Sequence, residues 1–116
     1  MAKKNNRPWG HYTNLRNHNH VLVKELVVKP GERLSLQSHD HREEYWFGVT
    51  GTGVAVVNGT EYVIAPGMLN HIPVNAVHRI DNTHGDEPLV MIEVQVGEIL
   101  DEDDITRYED DYGRAQ

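Results

Sequence analysis

The chain has 116 residues, no cysteine and a formal net charge of -7 at pH 7, which fits one domain and excludes disulfides, thiolate metal sites and a cysteine nucleophile. The acidic balance argues against sequence-independent nucleic-acid binding, which draws its affinity from Lys and Arg on phosphates. The chain begins without an apolar signal-peptide region and contains no stretch of membrane-spanning length, so we expect a soluble cytoplasmic protein without membrane partners.

Short apolar or alternating runs, separated by turn residues, predict an all-β domain. We divide residues 1–116 into an N-terminal arm (1–20), a core (about 21–98) and an acidic tail (100–116) of one single domain. The predicted strands, in chain order, are Val21–Val28, Leu34–His39, Glu44–Val49, Val54–Val57, Glu61–Ile64, Leu69–Ile72, Val77–Ile80 and Leu89–Val96.

Turn and tail residues add two local predictions. Asn58-Gly59, between two strands, favours the positive φ angles of a type I′ hairpin turn. The chain after Leu100 is compatible with a short helix, and its many carboxylates between Asp101 and Asp111 favour a solvated segment over a calcium site.

Metal-ligand residue types are concentrated in the stretch "GERLSLQSHDHREEYWFGVTG". Strand alternation places Gln37 and His39 on one face, and a chain reversal brings Glu44 opposite them. His78, on a later strand, offers a fourth group. The alternative is a set of polar strand residues that bond to each other, but burying four of them together without a cation would carry a large desolvation cost. We therefore predict one divalent metal ion, and nitrogen and oxygen ligands suit Zn, Mn, Co, Ni or Fe.

The spacing of these residues resembles the two motifs of the cupin superfamily. The first motif is matched by Gly31, Gln37, His39, Glu44 and Gly51, and the second by Gly67, Pro73, His78 and Asn82. Asn75 stands where the second motif usually has Gly, and Asn also tolerates the left-handed conformation. The resemblance implies a cupin fold, which is a double-stranded β-helix or jelly-roll barrel.

Flanking phrases narrow the resemblance to type II phosphomannose isomerases. They are "RPWGHY", "KPGERLSLQSH", "REEYW", "HRIDN", "IEVQVGEIL" and "EDDITRYEDDYGR", which together run from Arg7 to Arg114. The family implies interconversion of mannose 6-phosphate and fructose 6-phosphate, so the expected partner is a small-molecule sugar phosphate. In that family the domain often follows a guanylyltransferase domain, whose Gly-rich phosphate loop has no counterpart in this sequence. Tyr45 stands where the family usually has His.

Such an isomerisation needs a cation, a base and cationic groups for the phosphate. Arg42, between two predicted ligands, is the preferred phosphate contact because a guanidinium makes two parallel bonds to phosphate. Arg79 adjoins His78, but strand alternation points it away, so a phosphate contact and a surface ion pair are equally compatible with it. Lys24 either faces the pocket or extends to solvent.

Glu93 is the preferred base, because Glu93 and Gln95 share one face of an otherwise apolar strand. His71 is the second candidate. Two other functions stay open: a metal-containing cupin that binds a sugar or sugar phosphate without turnover, and another cupin enzyme. We also expect a homodimer, because Leu34 and Leu36 lie opposite the ligand face and would leave an apolar surface exposed.

Overall fold

The computed structural model describes residues 3–115, which form eleven strands and no helix. Met1, Ala2 and Gln116, at the ends of the predicted arm and tail, lie outside the described residues. The strands are β1 Lys4–Arg7, β2 Gly10–His18, β3 Val21–Val28, β4 Leu36–Ser38, β5 Arg42–Thr50, β6 Gly53–Val57, β7 Thr60–Ile64, β8 Leu69–Ile72, β9 His78–Asp81, β10 Leu89–Gly97 and β11 Thr106–Glu109. Among residues 3–115, no helix has the length and apolar character needed to cross a bilayer.

The strands form two antiparallel sheets, as the all-β cupin prediction requires. One sheet has the order β1-β2-β3-β10-β5-β8, and the other has the order β11-β4-β9-β6-β7. Consecutive strands β4 and β5 therefore lie in different sheets, and β9 pairs with β4. This topology brings residues from β5 in one sheet towards residues from β4 and β9 in the other.

The interior between the sheets changes character along β10. Inward-facing Leu89 and Met91 are fully buried and belong to the hydrophobic core. The next inward residues, Glu93 and Gln95, are polar and also buried. Since a strand has a period of two, one strand spans both environments. The barrel therefore has an apolar end, which supplies the core, and a polar end, which holds the candidate site.

Two turn predictions are confirmed by backbone angles. Asn58 and Gly59 have φ angles of 49° and 82°, as a type I′ turn between β6 and β7 requires. Asn75 has a φ angle of 67°, so it adopts the left-handed conformation expected at this motif position.

The terminal segments differ most from the sequence-based expectation. Residues 4–18 of the predicted arm form β1 and β2, which extend the six-stranded sheet. Trp9 and Tyr12 anchor this segment in the core, while a register shift between Asn14 and Arg16 interrupts its alternation. The tail forms turns and the four-residue strand β11, which pairs with β4, and not the short helix that the sequence allowed.

The apolar surface expected at Leu34 and Leu36 is absent. Leu34 is buried in the hydrophobic core, and Leu36 is half-buried on β4 beside β11. Leu34 lies before β4, outside the strand whose alternation the prediction used, and Leu36 pairs with β11, a strand that the sequence did not predict. The homodimer therefore stays a prediction without this argument for it.

Candidate metal centre and substrate cavity

Three of the four predicted ligands form a compact buried group. His39 follows β4, Glu44 lies on β5 and His78 begins β9, and each side chain is at most 3% exposed. His39 Nε2 lies 3.3 Å from Glu44 Oε2, and His78 Nε2 lies 3.8 Å from Glu44 Oε1. Ligand atoms around one ion with bonds of about 2.1 Å lie roughly 3–3.5 Å apart. The group could therefore hold a metal ion with small side-chain adjustments.

Hydrogen bonds fix both imidazoles with Nε2 towards Glu44. His39 Nδ1 bonds the carbonyl of Asp104 at 2.7 Å, and His78 Nδ1 bonds the carbonyl of Ala76 at 2.9 Å. A carbonyl only accepts, so each Nδ1 carries the proton and each Nε2 presents a lone pair. His78 Nε2 is buried without any hydrogen-bond partner among residues 3–115. Such an orphaned acceptor, facing a carboxylate, fits a metal ligand.

The electrostatics keep both imidazoles neutral. Burial, followed by the positive charge of Arg42, lowers the pKa of His39 to about 4. Burial also lowers the pKa of His78. Neutral imidazole is the form that binds metal ions, so no proton has to leave either histidine near pH 7.

Arg42 lies in the cavity but is directed at the predicted ligands. Its Nε donates to Glu44 Oε2 at 2.9 Å, and its Nη2 donates to His39 Nε2 at 3.2 Å. A third bond runs from Nη1 to the carbonyl of Asp101 at 3.4 Å. The guanidinium thus places a positive charge on two ligand atoms and has few donors left for a phosphate.

Gln37 lies next to this group. It pairs in register with His78 across β4 and β9 and lines the same cavity as Glu44. Its Oε1 accepts a hydrogen bond from Ser35 Oγ at 3.2 Å. The position is compatible with a fourth ligand, and that role stays a prediction.

Glu93 occupies the polar interior beside Glu44. The indole N–H of Trp46 donates to both carboxylates, at 3.1 Å to each, and Gln95 Nε2 donates to Glu93 Oε2 at 3.0 Å. Burial, followed by repulsion from the charge of Glu44, raises the pKa of Glu93 to about 7. The predicted base is therefore buried beside the predicted metal ligands. Trp46, whose alternation with Glu44 is compatible with a position at the pocket floor, joins their two carboxylates.

A cavity opens from this group towards the ends of the chain. Its volume is about 150 Å³, which is below the range of drug-sized ligand sites, and it is open to solvent. Lys24 and Glu93, which are opposite each other in the β3–β10 register, line it together. Lys24 therefore faces the pocket, which was one of its two predicted orientations.

The terminal segments build the rest of the cavity wall. Arg7 and Tyr12 come from the N-terminal strands, and Arg107 and Arg114 come from the tail. Burial, and then the charge of Arg114, lower the pKa of Arg107, with a smaller contribution from Arg7. Sequence reasoning missed these three arginines, although "RPWGHY" and "EDDITRYEDDYGR" carried part of the family resemblance and marked both segments as more than a free arm and tail.

The acidic tail also supports a predicted ligand. Besides its carbonyl bond to His39, Asp104 accepts hydrogen bonds through its carboxylate from the backbone N–H of Asp40 at 2.9 Å and of His41 at 3.0 Å. The prediction of a solvated segment is wrong for this residue. Through these bonds the tail is attached to the loop between β4 and β5 and orients the His39 ring.

Two predicted site residues lie outside the cavity. Arg79 is buried, donates to the carbonyl of Leu34 at 3.0 Å and forms an ion pair with Glu109 at 3.2 Å. His71 is exposed on β8 and hydrogen-bonded to Glu43 at 3.0 Å. Strand alternation explains both positions, because Arg79 follows the inward His78 and His71 precedes the inward Ile72.

Tyr45 lies outside the cavity for the same reason. Its ring stacks on that of His71 with centroids 4.8 Å apart, and its hydroxyl donates to Glu43 at 2.7 Å. Tyr45, one of the residues at which this sequence departs from the usual family pattern, is therefore directed away from the metal ligands.

Sequence comparisons place this geometry in a known group of proteins. The family model described as "Mannose-6-phosphate isomerase C-terminal" matches residues 1–110. Alginate biosynthesis protein AlgA of Pseudomonas aeruginosa is 45% identical over 109 residues, and mannose-1-phosphate guanylyltransferase ManC of Salmonella typhimurium is 42% identical over 115 residues. The alignments cover 94% and 99% of this chain but 22% and 24% of those proteins. The chain thus spans less than a quarter of their length.

Structural comparisons agree on the architecture. The capsular polysaccharide assembling protein CapF from Staphylococcus aureus superposes with a TM-score of 0.81 and 25% identity, over 94% of this chain and 33% of that one. A Klebsiella pneumoniae protein with a double-stranded β-helix domain superposes with a TM-score of 0.71 and 19% identity, over 84% of this chain and 82% of the other. These neighbours confirm the predicted double-stranded β-helix of the cupins.

Proposed function

The chain belongs to the mannose-6-phosphate isomerase C-terminal family, and we propose that it is a metal-dependent isomerase that interconverts mannose 6-phosphate and fructose 6-phosphate. The observation that carries the proposal is the placement of Glu93 beside the buried group of His39, Glu44 and His78, in a cavity that also contains Lys24. A base, a metal-binding group and a cationic wall are the parts that this reaction requires.

The proposed ligands of one divalent ion are Gln37, His39, Glu44 and His78. The fit rests on the two Nε2 lone pairs that face Glu44 and on the absence of any partner for His78 Nε2 within residues 3–115. Zn, Mn, Co, Ni and Fe all suit this ligand set. When bound, such an ion polarises the sugar carbonyl and stabilises negative charge on the neighbouring oxygen.

Glu93 is the proposed base, which moves a proton between C1 and C2 of the sugar. Its two carboxylate oxygens are held by Trp46 and Gln95, so the group has a fixed orientation. Lys24 lies opposite on β3 and supplies a positive charge for a sugar oxygen or the phosphate. Burial of the carboxylate excludes water from the proton that it carries.

Of the predicted substrate-binding cations, Lys24 remains in the proposal because it lines the cavity. Arg42 also lines the cavity, but its guanidinium is bonded to Glu44 and His39, so its proposed role is to orient the metal ligands. Arg79 is left out, since its guanidinium is bonded to Leu34 and Glu109 outside the cavity.

The test is a coupled isomerase assay on mannose 6-phosphate after chelation and readdition of individual metals. Turnover should disappear on chelation and return with at least one divalent ion. Glu93→Gln should lower kcat by about 10²–10⁴-fold, the usual contribution of a general base, with unchanged metal content. His71→Ala, an exposed substitution on β8, is the matched control and should leave kcat unchanged.

Full turnover after complete chelation, or a normal kcat in Glu93→Gln, would contradict the proposal. If no metal restores turnover while mannose 6-phosphate still binds, the chain is a sugar-phosphate-binding module and not an isomerase.

A further inference from the structure

Arg7 brings an unneutralised positive charge to the cavity from the N-terminal strand β1. Its Nη1 donates to the carbonyl of Asn6 at 2.8 Å, and its Nη2 donates to the hydroxyl of Tyr12 at 3.1 Å. Glu102 is the nearby carboxylate, but it accepts the hydrogen bond of the Tyr12 hydroxyl. Within residues 3–115, no carboxylate lies within 4.0 Å of the Arg7 guanidinium.

Arg107 brings a second such charge from the opposite end of the chain. It lies on β11, in register with Gln37 on β4. Its Nε is buried and has no hydrogen-bond partner in the described part of the chain, and the guanidinium makes no ion pair there. A buried donor without a partner is costly, so this position indicates a group that accepts from it.

The other arginines near the tail are neutralised by it. Arg114 makes two bonds to Asp110, at 2.8 and 3.1 Å. Arg33 pairs with Asp111 at 2.8 Å, and Arg79 pairs with Glu109. The tail therefore offers carboxylates to neighbouring guanidinium groups, including that of Arg114, which also lines the cavity. Within the described residues, the guanidinium groups of Arg7 and Arg107 are left without one.

Tyr12 connects these cations to the proposed catalytic end. The Lys24 ammonium lies 4.4 Å from the centroid of the Tyr12 ring, and the Arg7 guanidinium carbon lies 4.9 Å from it. Lys24 is in turn opposite Glu93. A ligand in the cavity can therefore place one end near Glu93 and the other near Arg7 and Arg107.

We propose that Arg7 and Arg107 form a phosphoryl-binding subsite at the end of the cavity that the terminal segments build. The ligand chemistry is a phosphate monoester, whose two negative charges relieve the repulsion between two guanidinium groups that bond its oxygens. The inference rests on the proposed function for the identity of the attached sugar. In this assignment the terminal segments bind the phosphate, and Arg42 contacts the metal ligands Glu44 and His39 instead.

Calorimetric titration of the full chain tests the subsite without turnover. Mannose 6-phosphate, mannose and inorganic phosphate are each titrated into wild type, Arg7→Gln, Arg107→Gln and Arg16→Gln. Wild type should prefer mannose 6-phosphate to mannose, and inorganic phosphate should compete more weakly. Each of the two subsite variants should weaken mannose 6-phosphate binding by about tenfold or more, the usual effect of losing a charged hydrogen-bonding partner. Arg16→Gln, an exposed arginine on β2, should bind like wild type.

A measurement on the unmodified protein guards against variants that do not fold. The Nε–H nuclear magnetic resonance signal of Arg107 should shift on addition of mannose 6-phosphate or phosphate and stay unchanged with mannose. An unresponsive signal, wild-type affinity in both folded variants, or no preference for the phosphorylated sugar would overturn the subsite. Inorganic phosphate that binds as tightly as mannose 6-phosphate would overturn its assignment to a sugar phosphate.

The outcomes separate this inference from the proposed isomerase. Phosphate-dependent binding that requires Arg7 and Arg107 supports the subsite even if no metal gives turnover. Metal-dependent turnover with an unchanged KM in both variants removes the subsite and leaves the isomerase standing.

Discussion

The strands that carry the predicted ligands and the terminal segments that wall the cavity are built differently. The strands β5 and β9 lie inside their sheets, each paired on both sides. By contrast, β1 and β11 are edge strands of four residues, each paired with one neighbour. Glu44 and His78 are therefore held by the barrel itself, whereas His39, which follows β4, is also bonded by the tail. The cationic end of the cavity depends on two short edges.

This difference separates a part of the site that binds the metal from a part that binds the substrate. Changes among His39, Glu44 and His78 should alter metal binding, while changes in the terminal segments should alter phosphate binding or ligand orientation. His39, Glu44, His78, Arg7 and Arg107 are not members of the apolar core. Edge elements with few partners also open more readily than central strands, so substrate access should occur at the terminal segments.

The largest expected effect follows from removing both histidines of the ligand group. The double variant His39→Ala/His78→Ala loses both Nε2 lone pairs that would bind the ion. After dialysis we therefore expect no stoichiometric divalent metal, and mass spectrometry measures the metal content. Circular dichroism should still report a folded β-protein, because the apolar core is untouched. The matched control is His18→Ala/His84→Ala, which removes two exposed histidines. Full metal occupancy in the first variant would show that the ion binds elsewhere.

Sequence reasoning found the ligand group because strand geometry links spacing to direction. Gln37 and His39 are two apart, and a short reversal separates them from Glu44, so local rules place all three on facing surfaces. Their convergence with His78 then followed from the cupin resemblance, and the buried cluster of His39, Glu44 and His78 agrees with it.

The rules of strand alternation give little information at the ends of the chain. A four-residue strand carries too few alternations to stand out, so the sequence pattern predicts only an arm and a tail where β1 and β11 lie. Arg107 lies within a run of carboxylates that indicated solvation, and its partner strand β4 is distant in sequence. Only the tertiary pairing shows that it faces the cavity.

Arg42 lines the cavity between the metal-ligand group and the terminal segments, so its substitution tests which of the two it serves. Because it bonds Glu44 and His39, Arg42→Gln should lower kcat/KM by a similar factor for mannose 6-phosphate and for mannose, about tenfold or more. Arg107→Gln should affect only the phosphorylated sugar. Steady-state kinetics on both sugars measure the two ratios. A loss confined to mannose 6-phosphate in Arg42→Gln would make Arg42 a phosphate contact, as first expected from the sequence.

The smallest expected effect tests whether the tail orients a ligand from outside the barrel. Asp104→Ala removes the carboxylate that accepts from the N–H groups of Asp40 and His41, which loosens the carbonyl bond between Asp104 and His39. Removing a group that orients a metal ligand typically weakens metal affinity by about 10–100-fold, and we expect the lower end because the His39 ring remains buried.

Competition with a chromophoric chelator measures that affinity for the wild type, Asp104→Ala and the control Asp103→Ala. Asp103 is exposed, and its hydrogen bonds within residues 3–115 are made by its backbone N–H and carbonyl, both of which alanine keeps. The control should therefore match the wild type. Equal affinities in both variants would show that the barrel alone fixes His39 and that the tail contributes only to the cavity wall. A loss of metal affinity in Asp104→Ala alone would show that the metal centre depends on the tail. The tail segment that carries Arg107 would then also hold the loop that contains His39.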